Sequence, residues 1–197
     1  MFEIWIRAIT RPMLATYQEI LEEEPSPPLT TPLLWMIVSA VIAAVISGVV
    51  SLITGLGEFF DITSLLCGIV VVPIGAVIGF LIGSGIYFIS AKIFGGEGTF
   101  ARQSYLLAAA YAPMAIISAL LAVLPWIGAW LGIIASLYTV WLAILALQAA
   151  HRFSTGRAVA SVLAPLIIIV IPICLIAILL LIGPAVGDVF TEIQNAI

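Results

Sequence analysis

The amino-acid sequence predicts an all-α, polytopic membrane protein with five transmembrane helices and an N-terminal amphipathic interfacial helix. Hydrophobic residues make up 64% of the 197 residues and charged residues 8%, whereas a soluble domain has about 25% charged residues. The apolar runs continue over about twenty residues, the length of a helix that crosses a bilayer. Strands of a membrane barrel would alternate apolar and polar residues over about ten positions. A soluble domain and a β-barrel are therefore excluded.

The chain divides into three predicted regions. Residues 1–32 form an arm and a linker, residues 33–183 hold the spans, and residues 184–197 form an external C-terminal tail. The five predicted spans cover about residues 33–54, 68–94, 104–124, 126–148 and 159–182.

The arm has apolar residues every three or four positions, which places them on one face of a helix at the membrane interface. This stripe consists of Phe2, Ile6, Ile9, Met13, Tyr17 and Ile20. Pro12 is expected to divide the helix into two pieces or to begin the second piece. The Pro-Ser-Pro-Pro sequence of residues 25–28 is expected to be a stiff linker.

The positions of the six Lys and Arg residues predict the orientation. All of them lie before span 1, from the end of span 2 to the start of span 3, or between spans 4 and 5. The other exposed segments carry only Glu58, Asp61, Asp188 and Glu192. Because basic residues are enriched in cytoplasmic segments, we expect a multi-pass protein of the plasma (inner) membrane, with a cytoplasmic N-terminus and an external C-terminus.

Residues that could carry chemistry are scarce. No charged residue falls deep inside a predicted span, which argues against a proton pump or an ion-coupled antiporter. His151 is the single histidine, so we expect no metal site and interpret it as an interfacial residue favoured by the dipole of span 4. With a net charge of −4, no nucleic-acid partner is expected. Without a nucleophile–base set, we predict neither a cofactor nor enzyme activity.

A glycine-rich segment, Gly95-Gly96-Glu97-Gly98-Thr99, separates spans 2 and 3. A phosphate-binding loop would need a preceding strand, whereas a membrane helix precedes this segment. We expect the glycines to end span 2 in the left-handed conformation and Thr99 to cap span 3. A cytoplasmic partner site at this loop is the alternative.

Small residues at four-residue spacing give two spans a flat face, formed by Gly75, Gly79 and Gly83 in span 2 and by Gly128, Gly132 and Ser136 in span 4. In lipid, helices associate where small residues let their backbones approach. We predict that these faces serve packing within the bundle, with span 2 against span 4 as the preferred pair. Contact with a membrane-protein partner or in a homo-oligomer is the alternative.

A second group of residues in the spans could line a polar cavity. Pro113 frees a backbone carbonyl inside span 3, and Tyr111 and Tyr138 could supply hydroxyl groups. A cavity of this kind is typical of transporters. Kinked but packed helices, with tyrosines that anchor the interface, are the alternative.

Several motifs follow one another in order between about Pro73 and Ala158. They are the glycine-rich second span, the loop from Gly95 to Phe100, Tyr111-Ala112-Pro113, Pro125-Trp126-Ile127-Gly128, Tyr138, and then His151, Ser154, Arg157 and Ala158. This order resembles the Yip domain family (Ypt/Rab-interacting proteins). The segment from Arg11-Pro12 to Ile20 is also similar to the short arm of prokaryotic members.

The resemblance implies a five-helix membrane protein without known catalysis. Eukaryotic members are associated with Golgi and endoplasmic-reticulum trafficking and with Rab GTPases, and they carry an Asp-Leu-Tyr-Gly-Pro-like motif just before the first span. This chain has Thr30-Thr31-Pro32 there, so a Rab-type GTPase is not an expected partner and a prokaryotic-type member is the better match. We expect a membrane-organising or partner-binding scaffold in the lipid bilayer. A small transporter, channel or lipid-translocating protein is the alternative, which a polar cavity at mid-bilayer would favour.

Overall fold

Helices account for the regular structure of the computed structural model, which describes residues 1–54, 62–124 and 126–195. The helices are α1 (Phe2–Thr10), α2 (Leu14–Glu23), α3 (Thr30–Thr54), α4 (Ile62–Ile93), α5 (Phe100–Ala122), α6 (Ile127–His151) and α7 (Thr155–Asn195). No strand occurs in those ranges, so the predicted helical class is confirmed.

Within the described ranges, four helices are long and apolar enough to cross a membrane. The apolar stretches are Thr30–Ser51, Leu65–Ile93, Phe100–Ala122 and Ile127–His151. They correspond to the first four predicted spans, with ends that differ by a few residues. The chain is therefore a helical membrane protein.

The fifth predicted span lies in α7, which begins at Thr155 and continues to Asn195. Its described apolar stretch, Ile171–Ile182, is shorter than the candidate spans, so the five-span topology stays a prediction. The chain divides into two units, Met1–Val162 and Leu163–Ile197, and the following paragraphs concern the first. Glu58, Asp61 and Pro125, which entered the predictions above, lie outside the described residues.

Helix α5 is the centre of the Met1–Val162 unit. It packs against α1, α2, α3, α4 and α6. From Leu106 to Ala110 each side chain has no exposed surface, so the helix is covered all the way round. Alanines at three of these positions allow the neighbouring helices to approach closely.

The glycine faces predicted for spans 2 and 4 do not pack against each other. Helix α4 packs against α3 and α5, whereas α6 packs against α5 and α2. Within this unit, a Cβ atom added at Gly75, Gly79, Gly83 or Gly132 would meet no atom within 4 Å. The predicted pairing is therefore wrong, because α4 and α6 both pack against α5, which supplies the small residues itself.

The other two residues of the predicted span 4 face have different surroundings. Gly128 is buried in the first turn of α6, where an added Cβ would collide with the carbonyl oxygen of Leu121. The exposed Ser136 donates from Oγ to the carbonyl oxygen of Gly132 at 2.8 Å, within its own helix. Contact of a second chain with the glycines that have no neighbouring atom within 4 Å stays a prediction.

The arm consists of two helices, α1 and α2, with a break around Pro12 as predicted. Tyr17 and Ile20 are buried against the rest of the unit, whereas Phe2, Ile6 and Met13 are 56–58% exposed. Because the chain turns at Pro12, the predicted stripe does not form a single face. Its second half packs on the bundle, and its first half leaves apolar side chains exposed.

Aromatic rings attach α1 to the spans. The ring centroid of Trp5 lies 6.2 Å from that of Trp35 on α3. The Trp35 centroid in turn lies 4.9 Å from that of Tyr105 on α5. Trp5 is 3% exposed, so α1 is anchored by a large side chain in a buried position.

A bidentate ion pair joins α1 to α2. It predicts that the arm is less stable at acidic pH. Arg7 donates from Nη1 and Nη2 to the two carboxylate oxygens of Glu23, each at 2.6 Å. The hydrogen bonds from Arg7 hold the pKa of Glu23 below its usual value. A lowered carboxyl pKa adds stability above the unfolded-state pKa, and that stability is lost as the pH falls through the folded-state value.

We therefore expect Glu23→Gln to lower the thermal unfolding midpoint slightly at neutral pH and not at acidic pH. The difference should be small, under about 1 kcal/mol, because the pair is exposed. Midpoints of both proteins across a pH series would measure it. A gap between the two proteins that persists below the carboxyl pKa would contradict the assignment.

Candidate functional site

The polar end of the bundle is the end at which α4 and α6 finish and α5 begins. It contains the loop of residues 94–99 and the last turn of α6. His151 contacts this loop through Gly98, although the two are 53 positions apart in the chain. The predicted loop and the single histidine are thus brought together.

The loop ends one helix and starts the next, as predicted. Gly95 has a φ of 83°, a left-handed conformation in which glycine is favoured. Its N–H donates to the carbonyl oxygen of Lys92 at 3.1 Å, and the N–H of Gly96 donates to that of Ala91 at 2.8 Å. This pattern is a Schellman motif. Thr99 then caps α5, because its Oγ1 accepts from the N–H of Arg102 at 3.3 Å.

Two glycines of the loop lie directly against the end of α6. The backbone N–H of Gly98 donates to Nδ1 of His151 at 3.1 Å. A Cβ added at Gly96 would lie 2.8 Å from the ring of Phe153, and one added at Gly98 would collide with the carbonyl oxygen of Ala150. The loop can therefore approach α6 this closely only because these positions have no side chain.

A buried chain of hydrogen bonds runs from His151 through α5 to α4. Nε2 of His151 lies 2.8 Å from Oε1 of Gln103. The amide of Gln103 donates from Nε2 to the carbonyl oxygen of Ser84 at 2.7 Å. The hydroxyl groups of Ser84 and Ser104 are 3.0 Å apart. All four side chains are at most 2% exposed.

The tautomer of His151 follows from its partners. Nδ1 accepts from a backbone N–H, so it carries no proton, and Nε2 must then donate to the amide oxygen of Gln103. The interpretation of His151 as an interfacial group favoured by the helix dipole is wrong, because a dipole favours a cation and this ring is neutral and 1% exposed. Both ring nitrogens are occupied, so the network joins helix ends and leaves no free base.

An open cleft of about 440 Å³ lies beside this network, between α2 and the ends of α5 and α6. Its charged lining residues are Glu22, Arg102 and Arg152, and Leu21 and Pro25 contribute apolar surface. A smaller cleft of about 130 Å³ shares both arginines and adds Glu97 and Gly98. We call the two together the arginine cleft.

A third cleft has a different character. It measures about 220 Å³ and lies between α3 and α4, lined by Ala43, Ala44, Ser47, Gly48, Ser51, Leu65, Gly68 and Val72. Its lining is mostly apolar and small. It therefore lacks the groups that would bind a charged ligand.

The residues predicted for a polar cavity are placed apart from these clefts. The hydroxyl group of Tyr138 donates to the carbonyl oxygen of Ile9, which connects α6 to α1. The ring of Tyr111 packs edge-on against Phe80, with centroids 6.5 Å apart. Pro113 is buried within α5. The three described clefts are lined by other residues.

Sequence reasoning did not identify Gln103, Ser84 and Ser104 as members of the site. None of them carries a charge, and serine occurs throughout the spans. The available signal was a glutamine in the first turn of a span, directly after a glycine-rich loop. Its partners Ser84 and His151 are 19 and 48 positions away, and spacing along the chain does not reveal such pairs.

Comparison with known proteins identifies a family. A family model, the Yip1 domain, matches residues 6–182. The matched region begins within α1 and reaches into α7. No curated protein and no solved structure matches the chain.

Proposed function

Because the chain belongs to the Yip1 domain family, we propose that it is a non-enzymatic scaffold that organises the plasma membrane or holds a protein partner there. The finding that favours a scaffold over a transporter is the packing of α5. A transport path would need a polar cavity near the middle of the bilayer. At that level α5 presents fully buried apolar side chains from Leu106 to Ala112, apart from a partly exposed Tyr111.

The polar end supports a partner site better than the middle of the bundle does. Glu97 and Thr99 are exposed on a loop that is fixed on both sides by caps and by His151. A rigid exposed loop loses little conformational entropy when it binds. We expect a membrane protein or a second copy of the chain as the partner. A Rab-type GTPase is not expected, because Thr30-Thr31-Pro32 replaces the motif of eukaryotic relatives.

Two measurements separate the scaffold from a lipid-translocating protein or transporter. A photo-reactive residue at Glu97 in native membranes should give an adduct of one defined mass, and the same residue at Ile134, which is 63% exposed on α6, should not. Purified protein in liposomes should move fluorescent phospholipids between leaflets no faster than empty liposomes. Protein-dependent lipid movement, or adducts of equal yield at both positions, would overturn the proposal.

We further propose that the polar end faces the cytoplasm and that the C-terminus is external. The support is the placement of all basic residues in the segments of that end. With Cys67 and Cys174 replaced, a cysteine at Asp188 should react with an impermeant maleimide in intact cells. A cysteine at Ser154 should react only after lysis. The reverse pattern would contradict the orientation, and protection at both positions would contradict five spans.

A further inference from the structure

Two arginines at the polar end have guanidinium groups without a partner among the described residues. Arg102 and Arg152 line both parts of the arginine cleft. Within the described part of the chain neither side chain forms a hydrogen bond or an ion pair. The Nε atom of Arg102 is buried and has no acceptor. Because a buried donor without an acceptor is costly, an anionic ligand would complete this site.

The backbone of Arg152 forms the C-cap of α6. Its φ is 56° and its ψ is 39°, the left-handed conformation directly after the end of α6. Glycine takes this position most easily in other helices, as Gly95 does at the end of α4. The backbone N–H groups of Arg152 and Phe153 both donate to the carbonyl oxygen of Gln148, which ends α6 at the cleft. Arg152 lines both parts of the cleft from this position.

The depth of the cleft indicates the class of ligand. Arg102 lies in the first turn of α5, and Arg152 directly follows α6. Both helices cross the membrane, so their ends lie at the level of the lipid headgroups. A guanidinium can donate two parallel hydrogen bonds to the oxygens of a phosphate group.

The carboxylates of the cleft narrow the class of ligand that it can bind. Glu22 lines the larger part and Glu97 the smaller part, each beside both arginines. A ligand that is only anionic would meet two carboxylates there, whereas a headgroup with an amine can pair with both signs of charge. We propose that the arginine cleft binds the headgroup of an aminophospholipid, with the phosphate at Arg102 and Arg152 and the ammonium group at Glu22. The inference does not rest on the scaffold function.

Native mass spectrometry of delipidated protein would test the site, with phosphatidylethanolamine and phosphatidylglycerol added separately. We expect one molecule of phosphatidylethanolamine to bind, and Arg102→Gln and Arg152→Gln each to weaken it about tenfold through loss of a charged hydrogen-bonding group. Glu22→Gln should weaken binding of phosphatidylethanolamine and leave that of phosphatidylglycerol unchanged or stronger. Arg157→Gln is the matched control, because it removes the same charge outside the cleft lining and should have no effect.

Four outcomes would overturn the proposal. If Arg157→Gln weakens lipid binding as much as Arg102→Gln does, the lipid is held by general attraction between charges. Equal binding of the two lipids by the wild-type protein would remove the role of Glu22. Displacement of the lipid by inorganic phosphate at equal concentration, or arginine-dependent binding of a polyglutamate peptide without lipid binding, would assign the cleft to another ligand. Arg102→Lys keeps the positive charge but cannot donate two parallel hydrogen bonds, so it should bind phosphatidylethanolamine with intermediate affinity. This variant replaces Arg102→Gln in the test if Arg102→Gln does not fold.

Discussion

Replacing Gly98 by alanine should lower the free energy of unfolding by about 1–3 kcal/mol, the usual cost of an overpacked contact. The new methyl group would collide with the carbonyl oxygen of Ala150. This oxygen belongs to the last turn of α6, so it cannot move away as a flexible side chain would. Displacement of the loop would also lengthen the hydrogen bond from Gly98 to His151, which is 3.1 Å long. The thermal unfolding midpoint in detergent would show the loss.

The matched control for this substitution is Gly79→Ala. Within the Met1–Val162 unit, a Cβ at Gly79 meets no atom within 4 Å, and alanine is the better helix former by up to about 1 kcal/mol. The midpoint of this variant should be unchanged or higher. If Gly98→Ala unfolds at the same temperature as the wild-type protein, then the loop does not lie against α6 as described.

The second large effect is expected for Gln103→Leu. Leucine has a similar volume but cannot accept from His151 or donate to Ser84. The buried Nε2–H of His151 would then lose its acceptor, and a buried unsatisfied group costs about 1–3 kcal/mol. We expect a clear fall in the unfolding midpoint.

A double-mutant cycle separates the network from simple repacking. If Gln103 and His151 act as a pair, removal of both by Gln103→Leu and His151→Leu should cost less than the sum of the single changes. Ser136→Ala is the control for loss of a hydroxyl group, because Ser136 is exposed and its hydroxyl donates to Gly132 within its own helix. This control substitution should leave the unfolding midpoint unchanged. Strict additivity of Gln103→Leu and His151→Leu would contradict the network.

Local features of the sequence predicted the positions of the helices well. Long apolar runs placed α3 to α6, because a helix in lipid must satisfy its own backbone and needs a fixed length to cross. The left-handed Gly95 and the capping Thr99 were also predicted, since capping depends on a few neighbouring residues. These are properties that a segment has by itself.

Contacts between segments were not predictable in the same way. A small-residue face shows that a helix can pack closely but does not name its neighbour, so Gly79 and Gly132 were paired wrongly. His151 was interpreted as an interfacial residue favoured by the helix dipole, because nothing near it in sequence indicates Gln103 as a partner. The arginine cleft likewise depends on the way α2 lies across α5 and α6.

The central position of α5 has a consequence for the order of assembly during synthesis. Among the four candidate spans α5 has the lowest hydropathy, 1.9, against 2.6 for α3 and 2.8 for α4. Transfer into lipid therefore stabilises α5 the least of the four. Its stability in the membrane depends most on packing against neighbouring helices. Helices α3 and α4 leave the ribosome first and pack against each other as well as against α5. A nascent chain that ends after α4 therefore already contains two of the helices against which α5 packs. Helix α6 packs against α5 after it has been synthesised in turn.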